Sequence, residues 1–157
     1  MHPVTQAHIA ALLADAEASP RRRAHLLLHE GHDDQVQRLL IALWPGTYVR
    51  PHQHSQQWEM LCWHRGSADV LAFAPDGALL ARHRLDLSAP VIQIPPGTWH
   101  AAIALQPGTI VMEVKPGPYR ANEFAGWAPE ENTPAATDLV AWLQAAAPGA
   151  RWAANAP

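Results

Sequence analysis

The sequence has few of the features of disulfide-bonded, secreted or membrane proteins. It has one cysteine, Cys62, in 157 residues, which excludes an intrachain disulfide framework and a four-cysteine zinc site. No apolar run approaches the roughly 20 residues of a membrane-spanning helix. The N-terminal segment has no basic region, and Asp15 and Glu17 interrupt its apolar run, which is unlike a signal peptide. We therefore expect a cytoplasmic protein that does not bind membranes.

Positive charge is also scarce. The formal net charge is −3 and charged residues make up 16% of the chain, so the composition indicates no basic surface for nucleic acid. Hydrophobic residues make up 48%, which is typical of a globular protein, and 157 residues can bury a sizeable core. Fifteen prolines and nine glycines favour many turns and short strands over long helices.

The order of apolar runs and turns predicts an all-β domain with a helix at each end. Thr5 caps a predicted helix over 5–18, and Thr133 caps another that opens at Pro134 and runs to about 146. The main predicted strands between them are 36–44, 47–54, 57–64, 68–73, 79–87, 91–94, 98–104 and 110–115. This pattern favours an antiparallel double-sheet jelly-roll barrel. We assign 1–20 to a helix packed on the barrel, 21–131 to the barrel domain, and 132–157 to the last helix and tail.

Three histidines and one glutamate have the spacing of a metal site. His52 and His54 are two residues apart, so both imidazoles face the same side of a strand. Glu59 follows after a polar stretch where the chain can turn, and His100 ends a second segment, IPPGTWH. Three imidazoles and one carboxylate suit one divalent transition ion (Zn, Ni, Fe or Mn) better than Ca²⁺ or Mg²⁺. Cys62 has the opposite parity to Glu59, and we expect a buried, inert thiol.

These residues match a family pattern. The first cupin motif is a glycine, a His-x-His pair, a glutamate and a second glycine at fixed spacing, and this chain has all of its anchors: Gly46, His52, His54, Glu59 and Gly66. The second motif is matched only at its centre, from Pro95 to His100, because its outer glycine and asparagine are replaced by Ala89 and Ala104. The chain thus resembles the cupin superfamily, which implies a jelly-roll barrel and a metal bound by the three histidines and Glu59.

Longer stretches resemble one group within that superfamily, the WbuC-type cupin-fold metalloproteins. They are SPRRRAHLLLH, QRLLIALWPGTYVRPHQH, IPPGTWHAAIALQPGTIVMEVKPGPY and WAPEE. That group is associated with surface-polysaccharide gene clusters. The resemblance implies a small polar or anionic ligand, such as a sugar or sugar-nucleotide intermediate of surface-polysaccharide synthesis, and a homodimer.

Several residues are candidates for binding a ligand in the barrel cavity. Arg50 has the same parity as His52 on the predicted strand and would point inward; Lys115 and Tyr119 are further candidates. The run Arg21–Arg23 has two interpretations, a solvated rim with local salt bridges or a site for a phosphate or carboxylate. The segment 116–131 also has two, a lid over the barrel mouth or packing against its outside.

The predicted metal site leaves two functional hypotheses open. The first is a metalloenzyme that acts on the small ligand, for example a metal-dependent isomerase or oxygenase of the cupin type. No general base is recognisable in the sequence, and no His-Asp pair of the kind used by sugar epimerase cupins. The alternative is a non-catalytic module that binds metal and ligand as a sensor or carrier. A purely structural ion is disfavoured because the small residues after His100 leave space beside it.

Overall fold

A computed structural model describes residues 1–153. Within them, two helices flank ten strands. In chain order the elements are α1 (Gln6–Ala18), β1 (Arg23–Leu27), β2 (Val36–Leu43), β3 (His52–Gln53), β4 (Glu59–Arg65), β5 (Ala68–Phe73), β6 (Leu79–Leu85), β7 (Val91–Ile94), β8 (Trp99–Ala104), β9 (Thr109–Pro116), β10 (Glu123–Phe124) and α2 (Pro134–Ala145).

The strands form two antiparallel sheets of five strands each. The first has the order β1-β2-β9-β4-β7 and the second the order β10-β3-β8-β5-β6. Alternation along the strands sends apolar side chains from both sheets into the space between them. The buried residues there are Leu43, Leu61, Ile94 and Val111 from the first sheet and Val70, Leu85 and Ala104 from the second. This confirms the predicted double-sheet jelly roll.

Each helix covers the outer face of one sheet. The Thr5 side chain caps α1 by accepting from the backbone N–H of His8, and Ile9 and Leu12 pack with Leu40 of the first sheet. Thr133 caps α2, which begins at Pro134. The buried side chains of α2, such as Leu139, pack on the second sheet. Within residues 1–153, neither helix is long and apolar enough to span a membrane.

The predicted strand over 47–54 is wrong in extent. Only His52 and Gln53 are in a strand, because Pro51 has no N–H to donate to a ladder and its carbonyl accepts from the N–H of Ala125 instead. Tyr48, earlier in the same stretch, turns its ring into the core beneath α2. Cys62 is half-buried, not buried, since it lies on the outer side of β4.

Candidate metal centre

Four buried side chains meet where the two sheets face each other. His52 lies on β3 opposite His100 on β8, His54 follows directly after β3, and Glu59 is the first residue of β4 in the other sheet. One potential ligand atom from each of the four lies within 4.8 Å of those of the others. The structure therefore brings together all four residues that the sequence predicted as ligands.

Backbone carbonyls fix the orientation of two of the imidazoles. The Nδ1 atoms of His52 and His100 lie 2.8 Å from the carbonyl oxygens of Arg50 and Thr98. A carbonyl only accepts, so each Nδ1 carries a proton, and in the neutral imidazole each Nε2 then presents a lone pair to the cluster. Such partners for the second ring nitrogen are typical of ligating histidines.

Glu59 faces the other two histidines with one oxygen. Its Oε2 lies 2.8 Å from Nε2 of His54 and 3.3 Å from Nε2 of His100. The His100 contact lacks hydrogen-bond geometry, so Nε2 of His100 and Nδ1 of His54 are buried without a hydrogen-bond partner among the described residues. Two donors about 2.1 Å from one ion at a right angle would lie about 3 Å apart. The donor set and the unpartnered nitrogens fit a divalent transition ion.

The protonation states of His52 and Glu59 also suit a metal. Burial, reinforced by the neighbouring His100, lowers the pKa of His52 to about 3, so the imidazole is neutral near pH 7. Burial alone would raise the pKa of Glu59, but its contacts with His100 and His54 outweigh burial and hold that pKa well below its usual value. Neutral imidazole and ionised carboxylate are the forms that bind metals.

A cavity of about 470 Å³ opens beside this cluster. His52, Glu59 and His100 are in its wall. The other lining residues are Arg21, Arg23, His25, Ile41, Leu43, Val49, Arg50, Leu61, Ala102, Val111, Glu113, Lys115, Tyr119, Asn122, Phe124 and Glu131. All three residues predicted to bind a ligand, Arg50, Lys115 and Tyr119, therefore line the same cavity as the metal cluster.

The three predicted ligand residues have partners within the protein. Arg50 donates from Nε and Nη2 to the carbonyl of Ala128 at 3.2 and 3.0 Å. Its guanidinium carbon also lies 4.8 Å from the ring centroid of Phe124. Lys115 Nζ lies 2.7 Å from Oε1 of Glu113. The ring centroid of Tyr119 lies 4.7 Å from that of His32, and the side chain is exposed.

Glu113 is a cavity residue that the sequence analysis missed. It is two residues before Lys115 on β9, and that spacing places both side chains on one face. This spacing could have shown from the sequence that Glu113 shares a face with Lys115. Whether that face points into the cavity depends on the pairing of β9 with β2 and β4. Burial, with a contribution from Glu59, raises the pKa of Glu113.

The two segments with open interpretations meet at the cavity mouth. Arg21 and Arg23 both form salt bridges with Glu131, and all three side chains line the cavity. The segment 116–131 contributes side chains both to the cavity wall and to the core. Tyr119 and Phe124 line the cavity, while its alanines at 125 and 128 are buried in the core beneath α2.

Comparison with protein families identifies the chain more closely. The model of a family described as "Domain of unknown function (DUF6016)" matches residues 4–85, which is more than half of the sequence. The chain belongs to this family. The matched range contains His52, His54 and Glu59, whereas His100 lies beyond it. No curated protein matches the sequence.

Solved structures resemble the fold. KdgF from Halomonas sp. is 21% identical with a TM-score of 0.50, and the match covers 66% of this chain and 85% of that one. Oxalate oxidase in complex with glycolate is 18% identical with a TM-score of 0.53, covering 68% of this chain but only 57% of that one. A conserved protein of unknown function, SPY1581 from Streptococcus pyogenes, is 16% identical with a TM-score of 0.50, covering 65% and 80%. These likenesses show that the fold is a cupin fold.

Proposed function

We propose that this protein is a mononuclear metal-binding cupin that acts on a small anionic molecule held in its cavity. One observation carries the proposal: the buried cluster of His52, His54, Glu59 and His100 is next to a cavity large enough for such a molecule. A bound divalent ion would polarise a carbonyl or hydroxyl oxygen of the ligand. The four side chains would hold it, and the carbonyls of Arg50 and Thr98 would orient two of the imidazoles.

The charge of the cavity supports an anionic ligand. Four arginine or lysine side chains and three glutamates line it, and a divalent ion adds two positive charges. Arg50 is bound to a neutral carbonyl, which leaves its charge available to a ligand. We propose that Arg50, Lys115 and Tyr119 contact the ligand from the walls and the mouth.

The ligand class draws support from two kinds of likeness. The resemblance to WbuC-type cupins favours a sugar or sugar-nucleotide intermediate of surface-polysaccharide synthesis. The structural likeness to an oxalate oxidase that is solved with glycolate favours small hydroxy acids as first probes. Both classes carry oxygen atoms that can coordinate a metal next to an acidic group. We favour a metalloenzyme over a sensor or carrier because the buried Glu113 and Lys115 add acid and base groups to the cavity.

Metal content tests the proposal directly. Elemental analysis of purified protein is expected to find close to one transition metal per chain. His54→Ala removes one of four candidate ligands and is expected to lower the metal affinity at least about tenfold, and the metal content with it. His83→Ala, at an exposed histidine on β6, is the matched control and should keep the wild-type content. Full retention of metal by His54→Ala would overturn the assignment of the ligands.

A further inference from the structure

Two arginines at the cavity mouth hold one carboxylate in the way that arginine binds a free anion. Arg21 donates from Nε to Oε1 of Glu131 at 2.8 Å, and its Nη2 lies 2.8 Å from Oε2. Arg23 Nη2 lies 3.2 Å from Oε1 of the same glutamate. The two parallel contacts of Arg21 are the fork geometry in which a guanidinium recognises a carboxylate or a phosphate. The N–H donors at the mouth are therefore already arranged to bind a carboxylate or a phosphate.

The Glu131 carboxylate is accessible enough for an anion of a ligand to displace it. The Glu131 side chain is 28% exposed, whereas that of Glu59 in the metal cluster is 5% exposed. The Arg21 side chain is 51% exposed, and a salt bridge to such a solvated group contributes little to stability. Arg23 is anchored separately, because its Nη1 donates to the backbone carbonyl of Tyr48. Loss of the Glu131 contact would therefore leave the Arg23 guanidinium at the mouth.

Positive charge is in excess at this end of the cavity. Arg21 and Arg23 share a single carboxylate, and Arg50 has no carboxylate within 4 Å in residues 1–153. Lys115, by contrast, is neutralised by Glu113. The cations in excess of carboxylates are therefore these arginines, which line the same cavity as His52 and Glu59.

We propose that Arg21 and Arg23 form a second anion-binding subsite, in which Glu131 is displaced by a carboxylate or phosphate of the ligand. The ligand would then have two ends, a chelating hydroxy-acid or keto-acid group at the metal and an acidic group at the mouth. This proposal rests on the proposed function for its metal end. It narrows the ligand class from small anions to molecules with two separated acidic groups.

Paired probes with the same chelating end test the subsite. Titration calorimetry on Ni²⁺-loaded protein compares 2-hydroxybutyrate, which has one acid, with 2-hydroxyglutarate, which has a second. The dianion is expected to bind the wild-type protein about tenfold more tightly, the gain from one additional charged hydrogen-bonded contact. Glycerate and 3-phosphoglycerate form a second pair that shows whether the subsite prefers a phosphate to a carboxylate.

Two substitutions should change the preference in opposite directions. Arg23→Gln is expected to abolish the advantage of the dianion, and Glu131→Gln to increase it several-fold because the internal competitor is removed. Neither should alter binding of 2-hydroxybutyrate more than about twofold. Arg65→Gln, at an exposed arginine at the end of β4, is the matched control. Equal binding of the two acids by wild-type protein, or an equal loss of both in Arg23→Gln, would overturn the proposal.

Metal-free protein separates failure of the subsite from failure of the metal site. Inorganic phosphate, titrated without metal, is expected to bind Glu131→Gln more tightly than wild-type protein and to bind Arg23→Gln least. Circular dichroism confirms that each variant is folded, and Glu131→Gln alone still tests the proposal should Arg23→Gln not fold. Phosphate affinity that is equal in wild-type protein and Glu131→Gln would overturn the subsite, whatever the metal content.

Discussion

Two glutamates from neighbouring strands, Glu59 and Glu113, face the interior of the barrel. Histidines are the partners of one, and a lysine is the partner of the other. Glu113 on β9 lies opposite Leu61 on β4, and Glu59 is two residues away on the same face. Glu59 turns to His54 and His100, whereas Glu113 pairs with Lys115. Lys115 therefore gives Glu113 a partner outside the candidate metal cluster, and the candidate ligands remain three histidines and one carboxylate.

Removing the partner of Glu113 should destabilise the protein. The side chains of Lys115 and Glu113 are 10% and 12% exposed, so Lys115→Met leaves a largely buried carboxylate without a counter-charge, at a cost of about 3 kcal/mol. The double variant Glu113→Gln/Lys115→Met should lose less, because no buried charge is left unpaired. Urea denaturation of metal-free protein measures both.

The exposed pair of Arg38 and Asp34 is the control for this prediction. Their closest atoms are 3.6 Å apart and both side chains are well solvated, so Arg38→Met should cost less than about 1 kcal/mol. If Lys115→Met were no more destabilising than Arg38→Met, the Glu113–Lys115 pair would not contribute to stability as the structure indicates.

The residues of the site differ in how far the sequence could predict them. The four candidate ligands were predictable because their joint spacing is fixed by local geometry within two segments. Glu113 and Glu131 were not, because segments far along the chain set their positions. Glu113 faces inward through the pairing of β9 with β2 and β4, and Glu131 meets Arg21 across 110 residues. The carbonyl partners of His52 and His100 depend on backbone direction, which residue types do not encode.

At the scale of elements, the turn between β4 and β5 explains the last glycine of the first motif. Gly66 has a φ of +72°, a left-handed conformation that favours glycine. A Cβ at this position would lie 2.6 Å from Oγ1 and 2.9 Å from Cα of Thr109. Thr109 is fixed in turn, since its hydroxyl oxygen lies 3.0 Å from the carbonyl of Ser67 and 2.8 Å from that of Gln106.

Gly66 and Gly97 have the same φ, so comparing their substitutions distinguishes the cost of left-handed backbone from the cost of a steric clash. Gly97 also has a φ of +72°, but a Cβ there would meet nothing within 4 Å. Gly97→Ala should therefore cost only the left-handed strain, about 1 kcal/mol. Gly66→Ala adds the clash with Thr109 and should cost at least about 2 kcal/mol more. Urea denaturation compares the two, and equal losses would show that Thr109 moves aside freely.

Most helices and strands could be predicted from local sequence patterns. The exceptions depend on contacts with segments far along the chain. The strands β2, β5, β6, β7, β8 and β9 and both helices were predictable from alternation, turns and caps. The stretch 47–51 was not, because its backbone is bound by a distant segment through Ala125. The two-residue strand β10 exists only through its pairing with β3. The order of strands in the sheets also depends on contacts between distant segments, since β2 pairs with β9, which lies near the other end of the barrel domain in sequence.

At the scale of the whole molecule, the candidate metal centre connects the two sheets. The three histidines belong to the second sheet or directly follow one of its strands, whereas Glu59 belongs to the first. An ion bound by all four would link the sheets and would bind only the folded chain with this geometry. Metal binding should therefore stabilise the whole fold and not one element.

Thermal unfolding with and without metal tests this link. Metal at about 1,000 times its Kd stabilises the native state by about 4 kcal/mol, which corresponds to a rise in Tm of roughly 10 °C for a chain of this size. Glu59→Gln keeps the three histidines but removes the only charged ligand and the only one from the first sheet, so the rise should fall by more than half. Glu17→Gln, at an exposed glutamate on α1, should keep the full rise. An undiminished rise in Glu59→Gln would mean that the ion is held by the second sheet alone.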